Sequence, residues 1–220
     1  MVRGPGAGVE RVGVGETARR DRLERDLAIR PLTPARLPDL AVLFAQRGDA
    51  KSCWCAFYRV RGMLWTNSTP ESNRGVLEKA VRTAAREHRA PGLVAYRDKE
   101  VVGWVSLGPR EDYDRLEHSK VYARVDDAPV WSIVCFVVGR RVRGRGVASA
   151  LLDAAIAYAR EHGAAALEAY PAETDGERVP AASAYHGTLS MFERAGFEVV
   201  AKRQFNRTTP VRLIARRTLV

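Results

Sequence analysis

The pattern of apolar and polar positions predicts a strand followed by a helix in the second half of the chain. A run of apolar and β-branched residues from Val130 to Val138 is typical of a strand that is covered on both faces. Apolar side chains then recur at helical spacing, which predicts an amphipathic helix with one face formed by Leu151, Leu152, Ala155, Ile156 and Ala159. Another apolar run, at residues 164–170, predicts a second buried strand.

Shorter elements are predicted on both sides of this segment. In chain order, those before it are a strand at 28–32, a helix from Pro34 to about Gln46, a helix from Thr69 to about His88, a hairpin of 93–96 and 101–107, and a long polar connection at 108–129. After it, a loop at 171–180 precedes a helix from about Ala182, which ends with Gly196 in the C-cap position, and Phe197 starts a further strand.

The turn between the first strand and the helix has the residues that an anion-binding site needs. It contains Arg143-Gly144-Arg145-Gly146-Val147-Ala148. Glycines let the backbone approach a ligand closely, the first helical N–H groups are free, and the helix dipole and guanidinium groups favour negative charge. We therefore expect a phosphate-bearing cofactor here. One interpretation is a dinucleotide fingerprint with Glu168 on the ribose, although Ser149 stands where its third glycine belongs.

The same turn resembles the acetyl-CoA pyrophosphate loop of the GNAT acetyltransferase superfamily, usually written Q/R-x-x-G-x-G/A. Arg143, Gly146 and Ala148 match its defined positions, and Phe192 to Phe197 resembles the family ending F/Y-Y-x-x-x-G-F. The resemblance implies the GNAT fold. This is an α/β (α+β) arrangement in which about four helices flank a mixed central sheet of about 6–7 strands, with the fourth and fifth strands splayed apart.

The resemblance implies that acetyl-CoA binds between the splayed strands and at the turn. Its pantetheine arm would bond to the backbone of the fourth strand, and its pyrophosphate would meet the amides of the turn. The implied cofactor-binding residues are Phe136, Val138, Arg143, Gly144, Arg145, Gly146, Val147, Ala148 and Ser149. The implied reaction is direct attack of a primary amine, of a small molecule or a protein, on the thioester in a ternary complex. A backbone N–H of the strand would stabilise the oxyanion.

The chain departs from the family pattern at the catalytic acid and base. Many members carry a tyrosine where this chain has Phe192, which cannot donate a proton, so Tyr185, Ser190 or water would protonate the thiolate. Many members place a glutamate on the fourth strand, and residues 131–134 contain none. The alternatives are Glu168, Glu111, Asp112 and His186, whose reference pKa of about 6.5 suits proton removal at neutral pH. A degenerate, CoA-binding regulator is the second hypothesis.

Cys53-Trp54-Cys55 is the most unusual local motif. The chain has one further cysteine, Cys135, and lacks the paired spacings of a structural zinc site, so we expect no metal. The resemblance places this region at the acceptor pocket, and the candidate substrate contacts are Trp54, Phe57, Tyr58 and Trp65, with core packing as the alternative. Glu111 and Asp112, expected at the same entrance, would suit a cationic amine.

Composition and charge limit the remaining function classes. The net charge is +10, and arginines cluster at the turn. The other basic residues are scattered without interleaved aromatics, which favours a solvated surface over a third hypothesis, a nucleic-acid-binding module.

Residues 1–26 are rich in glycine and charge, which predicts a disordered tail ahead of one domain at 27–220. The pattern predicts neither a membrane span nor a signal peptide, hence a cytoplasmic protein. The oligomeric state stays open, although dimers are common among the proteins it resembles.

Overall fold

The core of the protein is an open, mixed sheet of seven strands. The computed structural model describes residues 27–46, 48, 50–171 and 185–219, so the tail predicted at 1–26 lies outside the described residues. The strands are β1 (Ala28–Pro31), β2 (Gly92–Arg97), β3 (Glu100–Pro109), β4 (Val130–Val138), β5 (Ala166–Ala169), β6 (Glu198–Arg203) and β7 (Arg212–Thr218). Their order is β1-β2-β3-β4-β5-β7-β6, and the β4–β5 pair is parallel while its neighbours are antiparallel. The predicted mixed sheet of six to seven strands is confirmed.

Helices lie against this sheet. In the described ranges the α-helices are α1 (Leu37–Phe44), α2 (Ala50–Cys53), α3 (Met63–Thr66), α4 (Pro70–Arg86), α5 (Asp114–Glu117), α6 (Val147–Glu161) and α7 (Leu189–Arg194). The longest, α4, begins with a capping box in which Thr69 and Ser72 satisfy each other's backbone N–H groups. The predicted amphipathic helix is α6, whose apolar face packs on β2, β3 and β4. None of the helices in the described ranges combines the length and the apolar character needed to cross a membrane.

A β-bulge divides β4 into a part that pairs with β5 and a part that does not. The β4–β5 ladder ends at Ile133. On the β3 side, Ile133 and Cys135 pair with consecutive residues of β3, which leaves Val134 as the extra residue. A bulge bends its strand and increases the local twist. The ladder also ends at the last residue of β5, so the β4 residues beyond Ile133 have no partner on β5.

The segment predicted as a long polar connection contains short helices and buried residues, so the prediction is wrong for its first part, while residues 125–129 are exposed. It contains a 3₁₀ helix, Arg110–Asp112, and the short helix α5. Tyr113, Leu116 and Tyr122 are buried, and the Arg110 side chain is fully buried as well. A buried arginine and tyrosines have polar atoms, so a hydropathy pattern does not distinguish them from surface residues.

The helix predicted after the 171–180 loop starts later than expected. Residues 172–184 lie outside the described residues, but residues 185 and 186 form a turn rather than a helix. Gly187 has a left-handed backbone with φ of +76°, and Thr188 caps α7 by accepting the N–H of the third helical residue. The predicted helical placement of Tyr185 is therefore wrong. The other end is as expected, because Gly196 follows the helix with φ of +78°.

Candidate active site

The arginine–glycine turn lines a cavity of about 430 Å³, which we call the turn cavity. Gly144 and Gly146 have left-handed backbones, with φ of +70° and +81°, and a Cβ built on either would meet no atom within 4 Å. Helix α6 starts directly after Gly146, which has no side chain to cap it. The first N–H groups of α6 therefore lack partners within the helix, and Val147, Ala148 and Ser149, which carry them, line the turn cavity.

Most of the residues predicted to bind the cofactor come together here. Those that line the turn cavity are Phe136, Val138, Arg143, Gly144, Gly146, Val147, Ala148 and Ser149. Arg145 is exposed and does not line it. The Arg143 Nε donates to the Val138 carbonyl at 3.1 Å, which ties the turn to the end of β4. Open glycines, unpaired helical N–H groups and an arginine form a set that fits a pyrophosphate.

A second cavity, of about 300 Å³, has mostly aromatic and thiol-bearing walls, and we call it the aromatic cavity. Its aromatic side is formed by Phe57, Tyr58 and Trp65, and its thiols are Cys53, Cys55 and Cys135. His186 and Arg212 also line it. Tyr185 lines both the aromatic cavity and the turn cavity, so the two meet at this residue.

Tyr185 also bonds to the part of β4 that does not pair with β5. The Phe136 N–H donates to the Tyr185 carbonyl at 2.7 Å. Phe136 is three residues beyond the last β4 residue that pairs with β5. The N–H that the resemblance assigns to the pantetheine arm or the oxyanion is therefore already bonded within the chain in this structure.

Comparison of the sequence with models of protein families identifies the family of this chain. Residues 54–197 match the model of the acetyltransferase (GNAT) family, a range that includes the bulged strand, the turn, α6 and the Gly-Phe ending. The chain belongs to the GNAT acetyltransferase family. Acetyl-CoA is the donor that this family uses.

Solved structures share the GNAT fold of this chain at low sequence identity. A polyamine N-acetyltransferase from Drosophila melanogaster is 12% identical, with 88% of this chain and 100% of that chain covered and a TM-score of 0.55. A ribosomal-protein-alanine N-acetyltransferase from Brucella melitensis is 23% identical, with 87% and 99% covered and a TM-score of 0.50. The NatC complex bound to Gag peptide and CoA contains a chain that is 12% identical, with 89% and 99% covered and a TM-score of 0.51. No curated protein sequence matches this chain.

His186 is the candidate base that the structure places in a cavity of this GNAT chain. Its Nδ1 lies 3.4 Å from the Tyr58 hydroxyl, and the two rings meet edge to face. Burial lowers the pKa of His186 below its ordinary value of 6.5, and the nearby Arg212 lowers it further against an opposing hydrogen bond to the Val134 backbone. The imidazole is therefore neutral at pH 7. Burial raises the pKa of Tyr58 well above its ordinary value, and Tyr122 adds to the shift.

Glu168 lies in a buried ion-pair network and not in either cavity. Its side chain is 1% exposed. Arg110 donates to one of its carboxylate oxygens at 3.2 Å, and Arg216 donates to the other at 2.7 Å. Tyr170 adds a third contact, and its hydroxyl lies 2.9 Å from Ser132 Oγ. With both oxygens bonded in the interior, this carboxylate is not placed to remove a proton from an acceptor.

The acid candidates also differ in their surroundings. Phe192 is fully buried, and its ring packs on Phe136 and Phe197 as a core residue. Ser190 is exposed, with its hydroxyl 3.3 Å from Thr188 Oγ1, and it lines neither cavity. Tyr185 is the phenol at the junction of the two cavities.

Some of the residues predicted to contact the acceptor line the aromatic cavity, and others do not. Phe57 and Tyr58 line the aromatic cavity, but Trp54 is 9% exposed and packs edge to face on Phe44, 5.2 Å between ring centres. Glu111 and Asp112 line neither of the two cavities. Glu111 pairs with Arg124 at 2.7 Å, and both oxygens of Asp112 are bonded by Arg89, at 2.7 and 3.1 Å. The structure thus gives no support to a cationic amine bound by these two carboxylates.

Sequence reasoning missed several contributors to the aromatic cavity. Cys135, Val137 and Arg212 are among the residues that line it, and none of these three was predicted to contact the acceptor. The Cys55 and Cys135 sulfurs lie 2.9 Å apart, and the hydrogen bond between them and burial raise the pKa of Cys135 well above its ordinary value. Burial and the neighbouring Cys55 also raise the pKa of Cys53, to about 11. Within the described residues, no group of three or more His, Cys, Asp or Glu is arranged to hold a metal ion.

Proposed function

We propose that this GNAT chain transfers an acetyl group from acetyl-CoA to a primary amine bound in the aromatic cavity, by direct attack in a ternary complex. The observation that carries the proposal is the meeting of the turn cavity and the aromatic cavity at Tyr185, beside the part of β4 that does not pair with β5. A donor and an acceptor held in adjoining cavities react as one complex, and such positioning is a large share of catalysis in bimolecular reactions.

The chain's own residues would hold the donor at the turn. The free N–H groups at the start of α6, the open backbone of Gly144 and Gly146, and Arg143 would bind the pyrophosphate, with the Ser149 hydroxyl close by. Bound there, acetyl-CoA supplies a thioester that an amine can attack. The Phe136 N–H would stabilise negative charge on the acyl oxygen once it exchanges the Tyr185 carbonyl for that oxygen.

Proton transfer would fall to the residues at the junction. His186 is neutral at pH 7 and lines the aromatic cavity, so it would accept the proton of the acceptor amine. Tyr185 would return a proton to the CoA thiolate in place of the tyrosine that Phe192 replaces. The alternative, a CoA-binding regulator without activity, shares the turn cavity but predicts no acetyl transfer.

The cofactor site is tested by thermal unfolding with acetyl-CoA, with NAD as the control ligand. Acetyl-CoA at about 100 times its Kd adds roughly 2.7 kcal/mol, which raises the midpoint by about 5–10 °C in a chain of this size. Gly146→Trp fills the open turn and abolishes the rise. Gly163→Trp is the matched control, because Gly163 also has a left-handed backbone, with φ of +75° and no atom within 4 Å of a Cβ, but follows α6 at its other end.

The outcomes separate the hypotheses. A rise with acetyl-CoA that Gly163→Trp keeps and Gly146→Trp loses supports the turn as the cofactor site. Release of CoA thiol with a panel of amines then distinguishes the transferase from the regulator. No rise with acetyl-CoA, or a rise with NAD instead, overturns the proposal. Binding to DNA or RNA that weakens steeply with salt, together with indifference to CoA, would favour the nucleic-acid module.

A further inference from the structure

Arg212 is a charged residue without a charged partner inside the aromatic cavity. It is the first residue of β7, it is half-buried, and it lines the cavity. Within the described residues its guanidinium takes part in no ion pair or hydrogen bond. It lies close enough to lower the pKa of both His186 and Tyr58. A guanidinium that lines a cavity and has no carboxylate partner is available to bind an anionic group of a ligand.

The rest of the cavity supplies no negative charge to pair with it. None of the described residues that line the cavity carries a carboxylate. A second cation lies behind the aromatic wall, where the Arg115 guanidinium sits 4.0 Å from the centre of the Phe57 ring and 5.9 Å from that of Trp65. Its Nη2 is buried without a hydrogen-bond partner. The cavity is therefore apolar in its walls and positive in its potential.

We infer that the acceptor is an amine with an apolar or aromatic body and a carboxylate, and that Arg212 binds this carboxylate. The inference rests on the proposed function and deepens it. A guanidinium binds a carboxylate through two parallel N–H···O bonds, whereas a doubly charged phosphate would call for more donors than this largely apolar cavity offers. The aromatic rings would cover the body of the acceptor, and His186 would face its amine. A polyamine would instead bring positive charge toward Arg212 and Arg115, which costs binding free energy.

Equilibrium binding tests the inference without depending on turnover. With CoA saturating, calorimetry compares N-acetyl-L-phenylalanine with its neutral amide in the wild type, in Arg212→Gln and in Arg207→Gln. Arg207 is an exposed arginine between β6 and β7 that lines neither of the two cavities, so it controls for the lost charge. The acid is expected to bind about 10- to 100-fold more tightly than the amide in the wild type and in Arg207→Gln, and equally to the amide in Arg212→Gln.

Turnover separates this inference from the proposed function. CoA release is measured with acetyl-CoA and L-phenylalanine, L-phenylalaninamide or spermidine. Equal binding of acid and amide by the wild type, a preference that survives in Arg212→Gln, or binding of neither compound overturns the inference. Faster acetylation of spermidine overturns it while the transferase stands. An acid preference that requires Arg212, with no acetylation of any amine, supports the site and overturns the transferase.

Discussion

His186 lines the aromatic cavity, and its charge decides whether it can accept a proton. The groups that face it are the Tyr58 hydroxyl, the Val134 carbonyl and Arg212. Tyr58 stays protonated because its pKa is raised well above its ordinary value. The pKa of His186 is lowered below 6.5, so the ring is neutral above that pH and becomes protonated as the pH falls below it.

We expect kcat to be constant around pH 7 and to fall below pH 6.5, because a protonated imidazole cannot take the proton of the amine. His186→Gln is expected to lower kcat by about 100-fold or more and to remove this acid limb. The measurement is CoA release at saturating acetyl-CoA, with the most active amine of a panel.

The matched control is His118→Gln, because His118 is an exposed histidine paired with Asp114. It is expected to leave both kcat and the acid limb unchanged. An acid limb that persists in His186→Gln would assign the base to another group.

Single residues could be predicted where the site is continuous in sequence. Arg143 to Ser149 lie in one turn and the helix start that follows it, so their spacing in the sequence was enough to predict them as a group. No sequence pattern singled out Arg212, because it comes close to His186 only after β7 inserts beside β5 in the sheet. Glu111 was expected to face the acceptor, and its pairing with Arg124 depends on side-chain positions that no spacing reveals.

At the scale of elements, a buried ion-pair network links the segment after β3 to β5 and β7. Arg110 is fully buried and bonds to Glu168, to Tyr170 and to the Leu116 carbonyl. Arg216 bonds to the second oxygen of Glu168. Removing one partner of a buried pair is costly, since it leaves the other charge in the interior without compensation.

Glu168→Gln is therefore expected to lower the free energy of unfolding by about 3 kcal/mol. This is the lower end of what the loss of a buried charged partner costs, because Arg110 still pairs with Glu117 at 2.8 Å in the variant. Urea denaturation of the wild type and the variant measures this change. Activity below the unfolding transition should keep the pH profile of the wild type.

Glu193→Gln serves as the control, because Glu193 is exposed on α7, and its unfolding free energy is expected to change by less than about 0.5 kcal/mol. Full stability in Glu168→Gln together with loss of the acid limb of kcat would instead make Glu168 a catalytic residue.

Elements were predictable where periodicity was strong. The strand β4 and the helix α6 have apolar patterns that tertiary contacts reinforce. The segment at 108–129 was misjudged because its burial depends on Arg110 bonding to Glu168 on β5 and to Tyr170 just after it. The start of α7 was misjudged because Gly187 and Thr188 end the turn and begin the helix, while the apolar pattern around them continues. A glycine within such a pattern is as compatible with a helix as with its boundary.

On the scale of the whole molecule, we expect residues 27–220 to fold without residues 1–26. Those first residues carry too few large apolar side chains to bury much surface, so they add little to the free energy of unfolding. The midpoint of thermal unfolding is expected to change by less than about 2 °C on their deletion.

A longer deletion, of residues 1–32, is the contrasting variant. It removes β1, which pairs with β2, and Leu32, which is 1% exposed. Its midpoint should fall well below that of the first deletion. A large loss of stability on removing only residues 1–26 would show that they pack on the domain.

The hydrogen bond from Phe136 to the Tyr185 carbonyl has a consequence for the kinetics of ligand uptake. An arm of acetyl-CoA that bonds to the Phe136 N–H must first displace Tyr185, because that N–H is already used. Association then has two steps, and its observed rate levels off at high ligand concentration, at the rate at which Tyr185 leaves. We call a molecule open when its Phe136 N–H is free of the Tyr185 carbonyl. The measured Kd equals the Kd of the open form divided by the fraction of molecules that are open, so a chain that is open about 1% of the time binds about a hundredfold more weakly than one that is always open. Until a ligand arrives, the same bond occupies a strand edge that could otherwise pair with another chain.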